Sequence, residues 1–358
     1  MQILLLLLFG FISIHLYVTA DDTVIVYPSS NNQQSLQQII NSIFTNVTIL
    51  IKSGVYTETA IIEKYIVNLI TYDSTQVVEF RQLTNNTILS YRNGGGGQVQ
   101  GILFTGKNGT GISGSRNSQE GLPGKMSIIN CVFQDIGNGI INQFSRMSLV
   151  NVTVNRAQWL SIDLQGRMND PGTTIQDIVV LDSGNGFTIH DVNCANTILW
   201  NIVCRNNKNG GLIIYNTLDG PLTIAESTFV NNGIANVFIS NSYSVIVRDS
   251  LITNAQPKSG TNDYGDGFVA MKNKEPIELR TSTVFNNYRS GASVWGGILT
   301  LTNNQFRGNA FDLNYETVDG IPGSFDGSSG NICYDDPHGT NECHSLSSSP
   351  EPPPPLHP

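Results

Sequence analysis

NIVCRNNKNGGLIIYNTLDGPLTI (residues 201–224) and, one residue on, ESTFVNNGIANVFISNSYSVIV (residues 226–247) lay down one pattern twice. Around Phe229, an apolar alternation through Leu222 and Ile224 runs to Glu226, which marks a corner. Ser227 and Phe229 resume the alternation, Asn231-Asn232-Gly233 makes a turn, and Val237 and Ile239 carry a third short strand. Period-2 alternation reads as half-buried β-strand, and the Asn and Gly between the runs supply the backbone freedom of a turn. The unit recurs about every 24 residues, anchored at Phe104, Phe133, Val154, Val180, Cys204, Phe229, Ile252, Val284 and Phe306. Three residues before the anchor stand Asn130, Asn151, Asp177, Asn201, Glu226, Asp249, Thr281 and Asn303. Two residues after it stand Asp135, Asp182, Asn206, Asn231, Asn254 and Asn286. A repeat this short cannot bury its apolar face alone, so the copies must stack. The expectation is all-β: a parallel β-helix (solenoid) of about nine or more coils, whose Asn corners hydrogen-bond from coil to coil.

The 358 residues are 39% hydrophobic and only 13% charged, half the usual charged share, as suits a surface made of Asn, Ser, Thr and Gly. Residues 1–20 read as a secretory signal: an apolar run over 3–14 ends in Val18-Thr19-Ala20, short of the length a membrane span needs. A soluble, secreted, extracellular protein is expected, with no stable membrane insertion. Its net charge of −9 excludes the basic footprint that nucleic acid requires. Residues 21–98 read as an N-terminal cap and first coils, with Ser35 capping a short helix over 36–44 and strands over 61–70 and 76–80. Regular coils follow over 99–316, then a C-terminal cap over 317–346 and a disordered Ser/Pro-rich tail over 347–358. Of five cysteines, Cys333 and Cys343 bracket a polar loop and are expected as a disulfide. Cys131 and Cys204 read as small buried hydrophobes, and Cys194 is placed as a partner for Cys204 or as free. Sequons at Asn46, Asn85 and Asn108 are glycan candidates in a eukaryotic host, whereas Asn151 falls on the corner column.

The coils resemble the right-handed parallel β-helix of the pectin-lyase-like superfamily over approximately residues 24–316. The segment Ser53-Gly54-Val55-Tyr56-Thr57-Glu58 is similar to the Pro-Gly-x-Tyr-x-Glu turn that often precedes such coils, with Ser53 in place of proline. The resemblance implies the fold but no single activity, since the superfamily holds lyases, hydrolases, esterases, epimerases and adhesins. Signature tracts of polygalacturonases and pectinesterases are absent from the coils. Asp336-Pro337-His338-Gly339 resembles the Asp-Pro-His-Glu of mannuronan epimerases but lacks the Glu and lies in the tail, as does Asp335-Asp336.

Alternation along the third strand of each coil nominates one outward column: Gln143, Asp163, His190, Tyr215, Ser240, Met271, Trp295 and Asn314. Asp163, His190 and Tyr215 are the catalytic candidates, an acid, an imidazole and a phenol at strand spacing that can divide the roles of base, acid and charge stabiliser. Abstracting a proton beside a sugar carboxylate also needs a cation, for which Arg156, Arg167 and Lys272 are placed, while Trp295 and Tyr215 offer rings for sugar stacking. Insertions over 115–125, 165–174 and 255–266 flank the same strand and wall its face. No fixed metal site is read. Calcium is the one cofactor admitted, through Asp163, Asp182 and Asp191 or the Asp263–Asp266 loop. Two functions fit: a polysaccharide-binding protein that acts as a lyase or epimerase on a uronate-containing glycan, or a non-catalytic extracellular scaffold.

Overall fold

The computed structural model describes residues 23–28, 35–115, 124–143, 146–168, 173–257, 264–334 and 340–347. They form a parallel β-solenoid of about 11 turns, each internal strand pairing with its counterparts one coil before and one coil after. Three sheets result. The first runs from Thr23–Val26 through Leu222–Ala225 to Gly323–Ser324, and the second from Gly54–Tyr56 through Thr228–Val230 to Ile332–Cys333. The third runs from Ala60–Glu63 through Leu160–Arg167, Asn185–Asn193, Gly210–Tyr215, Ala235–Ser240 and Phe311–Glu316 to Ser345–Leu346. Inward side chains fill the bore, where Tyr56, Phe80, Phe104 and Phe133 stack in one column with centroids 4.7–5.9 Å apart.

The corners explain the composition. The residues three before each anchor (Asn130, Asn151, Asp177, Asn201, Glu226, Asp249, Thr281, Asn303) all have positive φ, as do Asp135, Arg156, Asp182, Asn206, Asn231, Asn254 and Asn286 at the second corner. Left-handed backbone costs most L-residues about 1–2 kcal/mol and Asn or Asp least, so a helix with a sharp corner per sheet becomes rich in both. Their side chains link the coils as expected: Asn151 to Asn130, Asn201 to Asp177, Asn206 to Asp182 and Asn231 to Asn206, at 2.8–2.9 Å. Where the residue after a corner is polar, as at Ser183, Asn207, Ser227, Asn232 and Ser250, its side chain turns inward and forms a second ladder. Asn232 Oδ1 accepts the Asn207 backbone N–H (3.1 Å) and side-chain amide (2.9 Å), and the Oγ of Ser250 accepts the Ser227 N–H at 3.2 Å. Gly211 clears this ladder: a Cβ there would lie 2.7 Å from Asn232 Nδ2 and 2.4 Å from the Asn236 carbonyl.

At the N-terminal end the helix spans Leu36–Asn41, shorter than the pattern over 36–44, because Ser42 closes it by returning its N–H to the last carbonyls. Ser35 and Gln38 form a capping box. Glu58, last residue of the turn tract, accepts the Leu36 N–H at 2.7 Å, and Tyr56 in the same tract starts the aromatic column and donates to the Lys52 carbonyl. The tract therefore ties cap to coil. The run over 61–70 divides into Ala60–Glu63 and Val67–Thr71, interrupted at Lys64, whose φ is positive. Cys333 and Cys343 are disulfide-bonded. Cys131, Cys194 and Cys204 are buried and free, so the Cys194–Cys204 alternative is excluded; the Cys194 thiol instead donates to the Asp219 carbonyl. The signal over 1–20, the Asp335-Asp336 and 336–339 tracts and the tail beyond Ser347 lie outside the described residues. No helix among the described residues is long and apolar enough to cross a membrane.

Candidate functional site

Strand register on the third sheet places two outward columns side by side. One holds Gln143, Gln165, His190, Tyr215, Ser240, Met271, Trp295 and Glu316; the other holds Ile141, Asp163, Thr188, Ile213, Phe238, Val269, Ser293 and Asn314. Asp163 and Asn314 are therefore one pleat away from the column expected for them, with Gln165 and Glu316 in their places. Alternation fixes which face a side chain occupies, but a shift of two residues keeps the face and changes the pleat.

The shift does not separate the three residues. Asp163 reaches diagonally to His190, with Oδ1 3.0 Å from Nε2. The approach is off-axis, so it brings the charges together without a directed hydrogen bond at either atom. On the other side of the ring, Nδ1 lies 2.9 Å from Oδ2 of Asp191, a third-corner residue with φ of 50° that follows His190 directly. Tyr215 stacks on the imidazole from the next coil, at 4.7 Å between centroids. Thr188, fully buried, stands beside Asp163 with its hydroxyl unpaired. Asp163, His190 and Tyr215 are only 5–9% exposed. Burial opposes the imidazolium, yet the contacts with Asp163 and Asp191 outweigh it and raise the His190 pKa. The Tyr215 pKa is also raised, by burial first and then by the same two carboxylates, so the phenol holds its proton.

Beside this polar group the outer face turns apolar. Ile213, Phe238, Val269, Met271 and Trp295 pack with Ile234, Ala235 and Val318. Within this face Asp266, fully buried, pairs with Arg289, whose guanidinium lies 5.1 Å from the Tyr264 ring and 5.6 Å from that of Trp295. Trp295 is 1% exposed, so its ring faces are occupied by protein rather than offered to a sugar.

Two of the expected cations are corner residues. Arg156 is a second-corner residue whose guanidinium takes both oxygens of Asp135 at 2.6 and 2.7 Å. Lys272 is a third-corner residue, its Nζ 2.5 Å from Asp319. Arg167 ends Leu160–Arg167, its Cα paired with Asn193. Asp182 belongs to the corner ladder, accepting from Asn206 at 2.9 Å, which removes it from any group with Asp163. Among the described residues no group of three or more His, Cys, Asp or Glu is arranged to hold a metal ion, and Asp263 lies outside them. The insertions over 165–174 and 255–266 adjoin the third sheet, with 169–172 and 258–263 outside the described residues. Asn46, Asn85 and Asn108 are exposed.

A family model described as "Right handed beta helix region" matches residues 138–311. No curated protein matches the chain. Among solved structures, the A-module of the Azotobacter vinelandii mannuronan C-5 epimerase AlgE6 is similar with a TM-score of 0.57 and 13% identity, over 84% of this chain and 86% of that one. The A-module of AlgE4 from the same organism gives 0.47 and 10% over 80% and 85%; the pectate lyase Pel9A gives 0.44 and 12% over 93% and 83%. At these identities the likeness is one of fold.

Proposed function

We propose that this chain, a right-handed parallel β-helix of the pectin-lyase-like superfamily, is a secreted polysaccharide-acting protein that works through the third-sheet face around His190. The observation that carries the reading is the imidazole held between two carboxylates and stacked on a phenol, on a face otherwise apolar. Such a set suits proton transfer at the carbon beside a sugar carboxylate. Neutral His190 takes the proton at Nε2, which no directed hydrogen bond occupies, while Nδ1–H donates to Asp191 and both carboxylates raise the ring's basicity. Tyr215, kept protonated, supplies the acid that returns a proton in an epimerase or meets the leaving oxygen in a lyase. The epimerase module named above supports the fold on which this chemistry is placed. Glycans at Asn46, Asn85 and Asn108 accompany the secreted reading and are checked by the mass lost on deglycosylation.

The test is incubation with polymannuronate and polygalacturonate in D2O, with and without calcium. Deuterium gained at the carbon bearing the carboxylate, or unsaturated uronate released, is expected for the wild type and lost in His190→Gln. Neither product from either polymer sinks the catalytic reading. A second reading, a non-catalytic extracellular scaffold, is favoured by one observation: Arg156 and Lys272 are each engaged by a carboxylate away from His190. Glycan binding without turnover would support it.

A further inference from the structure

A second face of the rod carries a site of different chemistry. Trp200 stands outward on the first sheet, 51% exposed, between Gln176 on one coil and Ala225 on the next. Ala225 has only a methyl group, so the indole is not covered from that side. The ring is nonetheless held: Nε1 donates to Oε2 of the corner residue Glu226 at 3.0 Å. Gln176, Asp177, Asn201 and Glu226 line with Trp200 an open groove of about 460 Å³. Their internal contacts fix the polar wall, Asn201 Nδ2 and Gln176 Nε2 both donating to Asp177, at 2.8 and 3.2 Å. Ile198, 53% exposed and two residues earlier on the same strand, extends the apolar floor.

Most outward positions of a solenoid need only be soluble, and Thr223 and Gln176 meet that need here. An indole anchored at its N–H and bare on its face leaves a large apolar surface in water, a cost that a ligand would relieve. The wall beside it offers carboxylate and amide oxygens, hence mainly acceptors. A ligand with a flat apolar face and a rim of hydroxyl donors matches both surfaces at once. That is the chemistry of a sugar ring. Asp177 and Glu226 repel an anionic glycan at short range, so the match is to an uncharged one. Axial direction follows from the corner column, since Asp177, Asn201 and Glu226 are successive rungs of the first-corner ladder and a linear chain laid along them meets one polar residue per coil.

We propose that the Trp200 groove binds a neutral linear oligosaccharide, at a site on a different sheet from His190 and independent of any turnover there. In an assembly with the proposed polyuronate chemistry, it would hold the rod on an uncharged polymer while the third-sheet face meets a charged one.

The experiment uses the full chain with cellohexaose, xylohexaose and mannohexaose, each titrated singly and followed by indole fluorescence and calorimetry, with a galacturonate hexamer and a glucosamine hexamer alongside. At least one neutral hexasaccharide is expected to bind with a dissociation constant below about 1 mM. Trp200→Ala should weaken that binding at least tenfold, Trp200→Phe by a smaller factor, and His190→Gln not at all. Glu226→Ala, which frees the indole without removing it, gives a second variant and should weaken binding severalfold. Absence of binding by every neutral hexasaccharide to about 10 mM overturns the proposal, as does unchanged affinity in Trp200→Ala. Binding confined to the glucosamine hexamer would assign the groove to a cation and overturn it equally. The outcome does not depend on polyuronate turnover, so the two proposals fail separately.

Discussion

The imidazole of His190 lies nearly parallel to the phenol ring of Tyr215 one coil away, with centroids 4.7 Å apart and planes 12° apart. A ring face carries partial negative charge, so the stack favours the imidazolium, as do the carboxylates of Asp163 and Asp191 at its two nitrogens. Against burial, the net effect is a His190 pKa above its ordinary value near 6.5. The folded state then binds this proton more tightly than the unfolded chain does. The stabilisation is full below about pH 6.5 and fades as pH rises through the folded pKa. The melting-temperature difference between wild type and His190→Gln should therefore be largest in acid and shrink on the alkaline side. A difference that grows with pH would contradict the arrangement.

Removing one of the two carboxylates separates geometry from charge. Asp163→Asn keeps the shape beside Nε2 and deletes a charge that raises the imidazole pKa, so the His190 titration, read from its ring proton NMR shifts, should move to lower pH. Because neutral His190 is the proposed base, the acid limb of the pH–rate profile should move with it. Tyr215→Phe keeps the stacked ring and loses the hydroxyl. On a polyuronate it should lower kcat by about 10²–10⁴-fold with little change in KM. Loss confined to KM would make Tyr215 a binding residue only.

The solenoid was legible because its corners demand left-handed backbone at fixed offsets, and Asn and Asp at those offsets are visible in one copy after another. The face of His190 was legible for the same reason, since alternation sets it once the corner is placed. Its pleat was not: Gln165 pairs with His190 and Asp163 with Thr188, because alternation repeats every two residues and leaves the register between coils open by a whole pleat. Arg156 and Lys272 lie close to the third strand in the chain, yet both occupy corners, where Arg156 meets Asp135 one turn back and Lys272 meets Asp319 two turns on. Asp191 carried the usable signal, an acid directly after an outward histidine at a corner. Nothing in the period marks Thr188, and Trp200 is indistinguishable by pattern from any outward residue. Its meaning lies in Ala225 and Glu226 on the next coil.

The inward ladder gives a stability prediction. Asn232 accepts both the backbone N–H and the side-chain amide of Asn207, and donates to the Cys204 carbonyl and to Asn236. Asn232→Leu leaves these buried groups without partners in a space that Gly211 keeps tight. A loss of about 2–4 kcal/mol is expected, read from the urea unfolding midpoint. The exposed corner variant Asn231→Asp should cost well under half as much, and equal losses would remove the distinction between outer and inner ladders.

The ion pair behind the apolar face should behave asymmetrically. Asp266 is fully buried and accepts from Arg289 Nε at 2.9 Å, from the Ser290 N–H at 3.2 Å and from the Ser290 hydroxyl at 2.6 Å. Arg289→Met strands the carboxylate and should cost about 3–5 kcal/mol. Asp266→Asn combined with Arg289→Met should cost less than Arg289→Met alone, because no buried charge is left unpaired. A double variant as unstable as the sum of the two single variants would show that the residues contribute independently.

The Cys333–Cys343 bridge closes a ten-residue separation at the far end of the rod, and its loop entropy corresponds to about 2–3 kcal/mol. In a solenoid each coil contacts only its neighbours, so that contribution should be felt locally. Cys333 pairs with Phe306 on the preceding coil, and the next residue, Tyr334, donates its N–H to the Phe306 carbonyl at 3.0 Å. Cys333→Ser with Cys343→Ser should therefore speed amide exchange over Gln305–Arg307 and Ile332–Cys333 while leaving Gly210–Tyr215 unchanged. The reason is distance in coils: several complete turns, each with its own apolar bore and inner ladder, stand between the bridge and His190. Exchange rising equally at both places would mean that the rod unfolds as one cooperative unit, and that the C-terminal cap contributes to the stability of the His190 face.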